Sequence, residues 1–178
     1  LDKISPYLID ATISTEDKHF YHHIGFDYLR IAKALVTNIV SSSLSEGAST
    51  ITQQYARNLF LNYDKTWERK IDEAMLAIEL EVHYTKDEIL EGYLNTINYG
   101  GIFGIENASW YYFNKSASDL TLAEASMLAG IPQAPAKLSP INNEENAKKR
   151  QNVVLELMVN NKKITENDKT VAYNTPLE

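Results

Sequence analysis

Cysteine is absent from the 178 residues, so neither a disulfide framework nor a thiolate metal site is possible. Glycine is scarce: there are seven, and four of them (Gly92, Gly100, Gly101, Gly104) lie close together. No pair of alternating apolar–polar runs is joined by Asn-Gly or Asp-Gly, which removes the strongest short-range hairpin signal. No apolar run reaches the roughly 18 residues of a membrane-spanning helix. Positive charge is in deficit, with 17 Lys and Arg against 24 Asp and Glu and a net charge of −7. That balance argues against broad nucleic-acid binding, and a polyanionic ligand would have to be met by a local basic cluster. The chain opens at Leu1 without an initiator Met or signal peptide. It reads as an excised segment, with room for a membrane anchor outside its boundaries.

What remains is the composition of one globular domain over 1–178, 44% hydrophobic and 23% charged. The pattern is helical almost throughout. Ser5-Pro6 opens a first helix, since Pro at the first helical position gives up no needed donor. Apolar residues from Asp27 to about Ser42 form an approximately helical stripe, and Thr50–Leu61 and Trp67–Tyr84 are two further helices. Thr85-Lys86-Asp87-Glu88 and Thr121-Leu122-Ala123-Glu124 are capping boxes, the first starting a helix to about Asn95, the second one that stops at Gly130 before Pro132. Asn142–Glu145 begins another, and the polar tail from Lys162 either docks as a short helix or frays. Ser41–Ser49, Asn62–Thr66 and Asn98–Gly104 resist helical periodicity and read as loops, where chemistry tends to concentrate.

Three segments carry candidate chemistry. In the first, Glu16 and Asp17 precede Phe20, three histidines and Gly25. A carboxylate seated beside aromatics is partly desolvated and suited to acid–base work; the alternative is a pair of exposed caps beside a core Phe20. His19, His22 and His23 have spacing compatible with a metal site, or else at least one is buried and holds the loop. In the second segment, Ser49 or Thr50 caps a helix on which Thr50, Gln54 and Arg57 share a face, suited to sugar hydroxyls or phosphate oxygens. The alternative is a cap followed by a solvated polar face. In the third, Arg69 and Lys70 lie one turn before Glu73 and, with Arg57 and Lys65, form a basic island in an acidic protein. Alone, that trio reads as a surface salt bridge of little worth.

Taken together, the segments resemble glycosyltransferase family 51, the transglycosylase module of class A penicillin-binding proteins, over nearly the whole chain. The first motif matches at Glu16, Asp17, Phe20, His23 and Gly25, and the second at Gly47, Ser49, Thr50, Ile51, Gln53, Gln54 and Asn58. The third matches at Arg69, Lys70 and Glu73. The fourth is Lys86, Ile89, Leu90, Glu91, Tyr93, Leu94 and Asn95; the fifth is Gly104, Ala108, Tyr112, Phe113 and Lys115. Five motifs in order are far more specific than any one of them.

The resemblance implies an all-α, lysozyme-like glycosyltransferase fold at the outer face of the cytoplasmic membrane. It implies lipid II and the growing glycan chain as substrates, and polymerisation into β-1,4-linked strands with inversion at MurNAc C1. Glu16 is then the general base, and Glu73 a second catalytic carboxylate that organises the cations or a divalent ion (Mg2+ or Mn2+) at the departing pyrophosphate. Asp17, Phe20, His23, Ser49, Thr50, Gln53, Gln54, Arg57, Asn58, Arg69 and Lys70 are implied substrate-binding residues. Arg57 departs from the family, which commonly has lysine there, and Lys33 and Lys65 transfer less securely. Ser41–Glu46 fits the family's lid, with Ile39, Val40 and Leu44 placed to touch lipid tails, Ile39 and Val40 having the core as their alternative. No transpeptidase serine motif occurs, so a fused transpeptidase domain would lie elsewhere, as would contacts with the cell-wall synthesis machinery. The rival readings are a lytic transglycosylase or lysozyme, and a non-catalytic lipid II-binding module.

Overall fold

The computed structural model describes residues 1–25, 49–60 and 66–177. The expected helix over 27–42, the lid, and Lys33, Gly47 and Lys65 lie outside the described residues. Within them are nine α-helices: α1 (Pro6–Glu16), α2 (Ile51–Phe60), α3 (Trp67–His83), α4 (Lys86–Thr96), α5 (Ile105–Phe113), α6 (Leu122–Gly130), α7 (Pro135–Leu138), α8 (Glu144–Asn160) and α9 (Glu166–Asn174). The β-structure among the described residues is one isolated bridge, Asn98 to Phe103. The all-α expectation is borne out.

Local chemistry sets the helix ends. Pro6 sits in the first turn of α1, as its missing donor allows. Both capping boxes form: Glu88 N–H donates to Thr85 Oγ1 at 3.2 Å, and at Thr121 the reciprocal pair with Glu124 is complete. The start of α8 is capped by Asn143, which accepts from Asn146 N–H. The tail docks rather than frays, because Thr165 and Asp168 make a further capping box and Ala172 is buried. Helix α5 went unread in the sequence. It begins at Gly104 without a side-chain cap, so there was no polar start signal to find.

The chain divides into two compact units, Leu1–Lys18 with Leu94–Glu178, and His19–Tyr93. In the first, α1 packs on α6 and α8, with Leu8, Ala11, Ala125, Leu128, Val154, Leu155 and Met158 all buried. Helix α6 is buried almost all round, and its alanines let neighbours approach closely. Gln151 is buried there too, its Nε2 donating to Ala123 O at 2.9 Å. In the second unit α2 packs on α3, burying Ile51, Ala56, Ala77 and Leu80.

Candidate active site

The third motif is the most tightly built feature of the second unit. Thr66 caps α3, accepting from Arg69 N–H, so the helix begins in time to carry Arg69, Lys70 and Glu73 on successive turns. Arg69 Nη1 donates to Glu73 Oε2 at 2.8 Å. Lys70 Nζ reaches Glu73 Oε1 at 3.4 Å and donates to Ser49 Oγ at 2.6 Å. Glu73 is fully buried and Arg69 is 5% exposed, so the surface salt bridge reading does not apply. Burial pushes the pKa of Lys70 down; Glu73 opposes that shift, while the charges of Arg57 and Arg69 add to it. Two cations on one carboxylate, with the Arg57 charge acting on Lys70, leave a surplus of positive charge for an anion.

A divalent ion does not fit beside Glu73. Both carboxylate oxygens are already held by cationic donors, and an ion there would sit against the Arg69 and Lys70 charges. Among the described residues no group of three or more His, Asp or Glu has metal-holding geometry.

The second motif is organised as a capping box at the start of α2. Thr50 N–H donates to Gln53 Oε1 at 2.8 Å, and Gln53 N–H donates back to Thr50 Oγ1 at 3.2 Å. The Thr50 hydroxyl donates to Gly25 O at 2.6 Å, and Gln54 Oε1 accepts from Tyr93 OH at 2.8 Å. These expected ligand contacts are thus engaged within the protein, where they hold Ser49 against Lys70. Arg57 and Asn58 follow on the same helix, both half-buried.

The first motif spans both units. Glu16 is the last residue of α1 and Asp17 its C-cap, with Asp17 N–H donating to Ile13 O. Asp17 is 1% exposed, Glu16 is half-buried and Phe20 is fully buried. The exposed-caps alternative therefore fails for the carboxylates and holds for Phe20 as core. Beyond Lys18, His23 holds the loop: its Nδ1 accepts from Gly25 N–H at 3.0 Å. Gly25 has φ 103, and a Cβ there would lie 3.1 Å from Glu81 Cγ and 3.2 Å from Ala77 O, so a side chain at this position would be both strained and crowded. His19 is half-buried and His22 exposed.

A hub that the sequence did not reveal joins these motifs. Lys86 Nζ pairs with Glu81 Oε1, lies 3.4 Å from His23 Nδ1 and sits 4.6 Å above the Phe20 ring. Thr52 Oγ1 donates to the same Glu81 oxygen at 2.7 Å. Lys86 had been matched to the fourth motif without a role; Glu81 and Thr52 had no local signal.

Comparison with known proteins agrees with this construction. The family described as Transglycosylase matches residues 1–159. Penicillin-binding protein 2D of Bacillus subtilis (strain 168) is 50% identical over 178 residues, covering 99% of this chain and 26% of that protein. Penicillin-binding protein 1A of Neisseria lactamica is 49% identical over 171 residues, covering 96% of this chain and 21% of that protein. The crystal structure of Penicillin-Binding Protein 1A from Haemophilus influenzae is similar at a TM-score of 0.51 and 38% identity, over 53% of this chain and 14% of that one. The chain spans about a quarter of the length of the curated relatives it matches (26% and 21%). It belongs to the transglycosylase family of the class A penicillin-binding proteins, glycosyltransferase family 51, a family of peptidoglycan glycosyltransferases.

Proposed function

We propose that this chain polymerises lipid II, a disaccharide-peptide on polyprenyl pyrophosphate, into β-1,4-linked glycan. Glu16 takes the proton from the 4-hydroxyl of the acceptor GlcNAc as that oxygen attacks C1 of the donor MurNAc. The C1–O bond to pyrophosphate breaks on the opposite face, the anomeric centre inverts, and the electron pair leaves with the lipid pyrophosphate. Arg57, Arg69 and Lys70 stabilise the charge that develops there, while buried Glu73 keeps Arg69 and Lys70 in place. An activated phosphate leaving group needs no strong general acid, which separates this reaction from glycoside hydrolysis. The observation that carries the reading is the cluster of Arg69, Lys70 and Ser49 built on a fully buried Glu73. A glycan-cleaving enzyme has no use for such an anion site.

The lipid tail of that substrate calls for work at a membrane surface, here the outer face of the cytoplasmic membrane. Support comes from α3, whose outer face exposes Trp67, Ile71, Met75, Ile78 and Val82 at helical spacing. No helix among the described residues is long and apolar enough to cross a membrane. A transpeptidase domain and the wider wall-building machinery are proposed partners outside this segment.

The test supplies the chain with lipid II and, separately, with finished peptidoglycan. Polymer growth that disappears in Glu16→Gln, with lipid II binding kept, is the expected result. Release of glycan fragments would replace the reading with lytic cleavage. Full activity in Glu16→Gln would leave a binding module.

A further inference from the structure

The sequence between α4 and α5 builds a tight, irregular loop for which the mechanism above gives no purpose. Gly100 and Gly101 take left-handed conformations, at φ 79 and 94. Tyr99 N–H donates to Ile102 O at 2.8 Å, Gly104 N–H to Ile97 O at 2.8 Å, and Gly101 N–H to Asn98 Oδ1 at 2.7 Å. From α5, Tyr112 OH donates to Tyr99 O at 2.8 Å and lies 2.9 Å from Ser139 Oγ. Every one of these contacts fixes the backbone that carries Tyr99.

The Tyr99 side chain is fully buried, and its hydroxyl has no hydrogen-bond partner among the described residues. A phenylalanine would fill the same space without burying a hydroxyl, so an orphaned phenol in so rigid a frame asks for a reason. In the same unit Glu16 also turns a carboxylate oxygen, Oε1, into the protein interior, and its charge acts on the phenol. Burial first, and the Glu16 charge second, push the phenol pKa far above the ordinary tyrosine range. The group therefore stays protonated and always has a proton to donate. The charge of Glu16 also reaches Arg150 of α8, whose Nε donates to Gly130 O at 3.3 Å.

We propose that Tyr99 is a positioning residue for Glu16: its buried O–H donates to the glutamate carboxylate when the acceptor sugar is bound, directing the other oxygen at the sugar hydroxyl. Hydrogen bonds of this kind are commonly long in the free enzyme and tighten in the substrate complex. The inference rests on Glu16 being the base. Among the described residues of this unit, the charge of Glu16 acts on Arg150 from α8 and on Tyr99 from the loop, and Asp17 adjoins it in the chain. Glu124, the single titratable group on α6, is engaged by Lys115 and Thr121.

The experiment measures the pH dependence of polymerisation for Tyr99→Phe, for a fluorinated tyrosine at position 99, and for Glu16→Gln. Loss of a donor makes the carboxylate easier to protonate, so Tyr99→Phe should lower kcat roughly tenfold and move its acid limb up by about half a unit, with KM and Tm little changed. The fluorinated phenol is a stronger donor and should move the limb the other way. A packing role alone would move neither limb. If both variants keep the parent kcat and acid limb while Glu16→Gln is inactive, the Tyr99 inference falls and the base assignment stands. An active Glu16→Gln overturns both.

Discussion

Helices α3 and α8 are each 17 residues long, and they are built inside out with respect to one another. Helix α8 buries Ala147, Val154, Leu155 and Met158, and leaves the Glu145–Lys149 pair in solvent, both members more than two-thirds exposed. Helix α3 buries the ion pair of Arg69 and Glu73 with Ala77 and Leu80, and exposes Trp67, Ile71, Met75, Ile78 and Val82. A helix that only supports a core gains by burying hydrocarbon. Burying a salt bridge yields little stability, since desolvation offsets the attraction. Helix α8 buries hydrocarbon and exposes its ion pair; α3 buries its ion pair and exposes hydrocarbon, as the proposed function requires.

The comparison is broken most severely at Glu73. Glu73→Ala leaves Arg69 inside the protein without this carboxylate, so about 3–5 kcal/mol of stability should be lost in a denaturant melt, and polymerisation with it. The counterpart on α8 is Lys149→Ala, which removes an ion pair of the same spacing from the surface and should leave the melt and the activity unchanged. Equal responses from the two pairs would mean that burial is not what distinguishes them.

Next comes the core of α8. Met158 is fully buried, and Met158→Ala should cost about 2–5 kcal/mol while the activity per folded molecule stays near that of the parent. Stability and chemistry separate on α8 and fail together on α3.

A smaller effect is expected from the basic cluster, read as ligand affinity. Arg57→Ala with Lys70→Ala should weaken a pyrophosphate-bearing ligand by at least about tenfold, as two charge-assisted hydrogen bonds are lost. Because burial lowers the pKa of Lys70, its ammonium is lost at a pH below that of an ordinary lysine. Affinity should therefore fall early as pH rises, and Lys70→Arg should remove that alkaline limb. An alkaline limb that persists in Lys70→Arg would assign it to another group.

Sequence reading succeeded where the signal was local. The capping boxes at Thr85 and Thr121 are sufficient in themselves, since each places a hydroxyl and a carboxylate on amides three residues apart. The spacing of Arg69, Lys70 and Glu73 likewise dictated that they share a face. Spacing could not say whether that face looks inward, because burial is a property of the packed chain. The Lys86–Glu81–Thr52 hub and the neighbourhood of Glu16 were illegible for the same reason. Tyr99 and Arg150 lie 83 and 134 residues from Glu16 in the sequence, and no period links them. Thr50 and Gln53 show the opposite limit: their chemistry suits a ligand, yet they also complete a capping box, and one sequence pattern serves both uses.

The outer face of α3 sharpens the comparison with the least disturbance of the fold. Met75 and Val82 are 62% and 73% exposed, so Met75→Ser with Val82→Ser removes little buried surface and should barely move the melt. If this face rests in a lipid surface, the same pair should lower partitioning onto vesicles by roughly tenfold, as expected for two apolar side chains partly withdrawn from water. The flanking Glu68, Asp72 and Glu79 are exposed and acidic, which disfavours attraction to anionic headgroups. Binding should therefore be as strong on zwitterionic vesicles as on anionic ones, and it should persist in high salt, because hydrocarbon contact is not screened. Partitioning that depends on anionic lipid and vanishes with salt would move the membrane contact away from α3 to a basic surface.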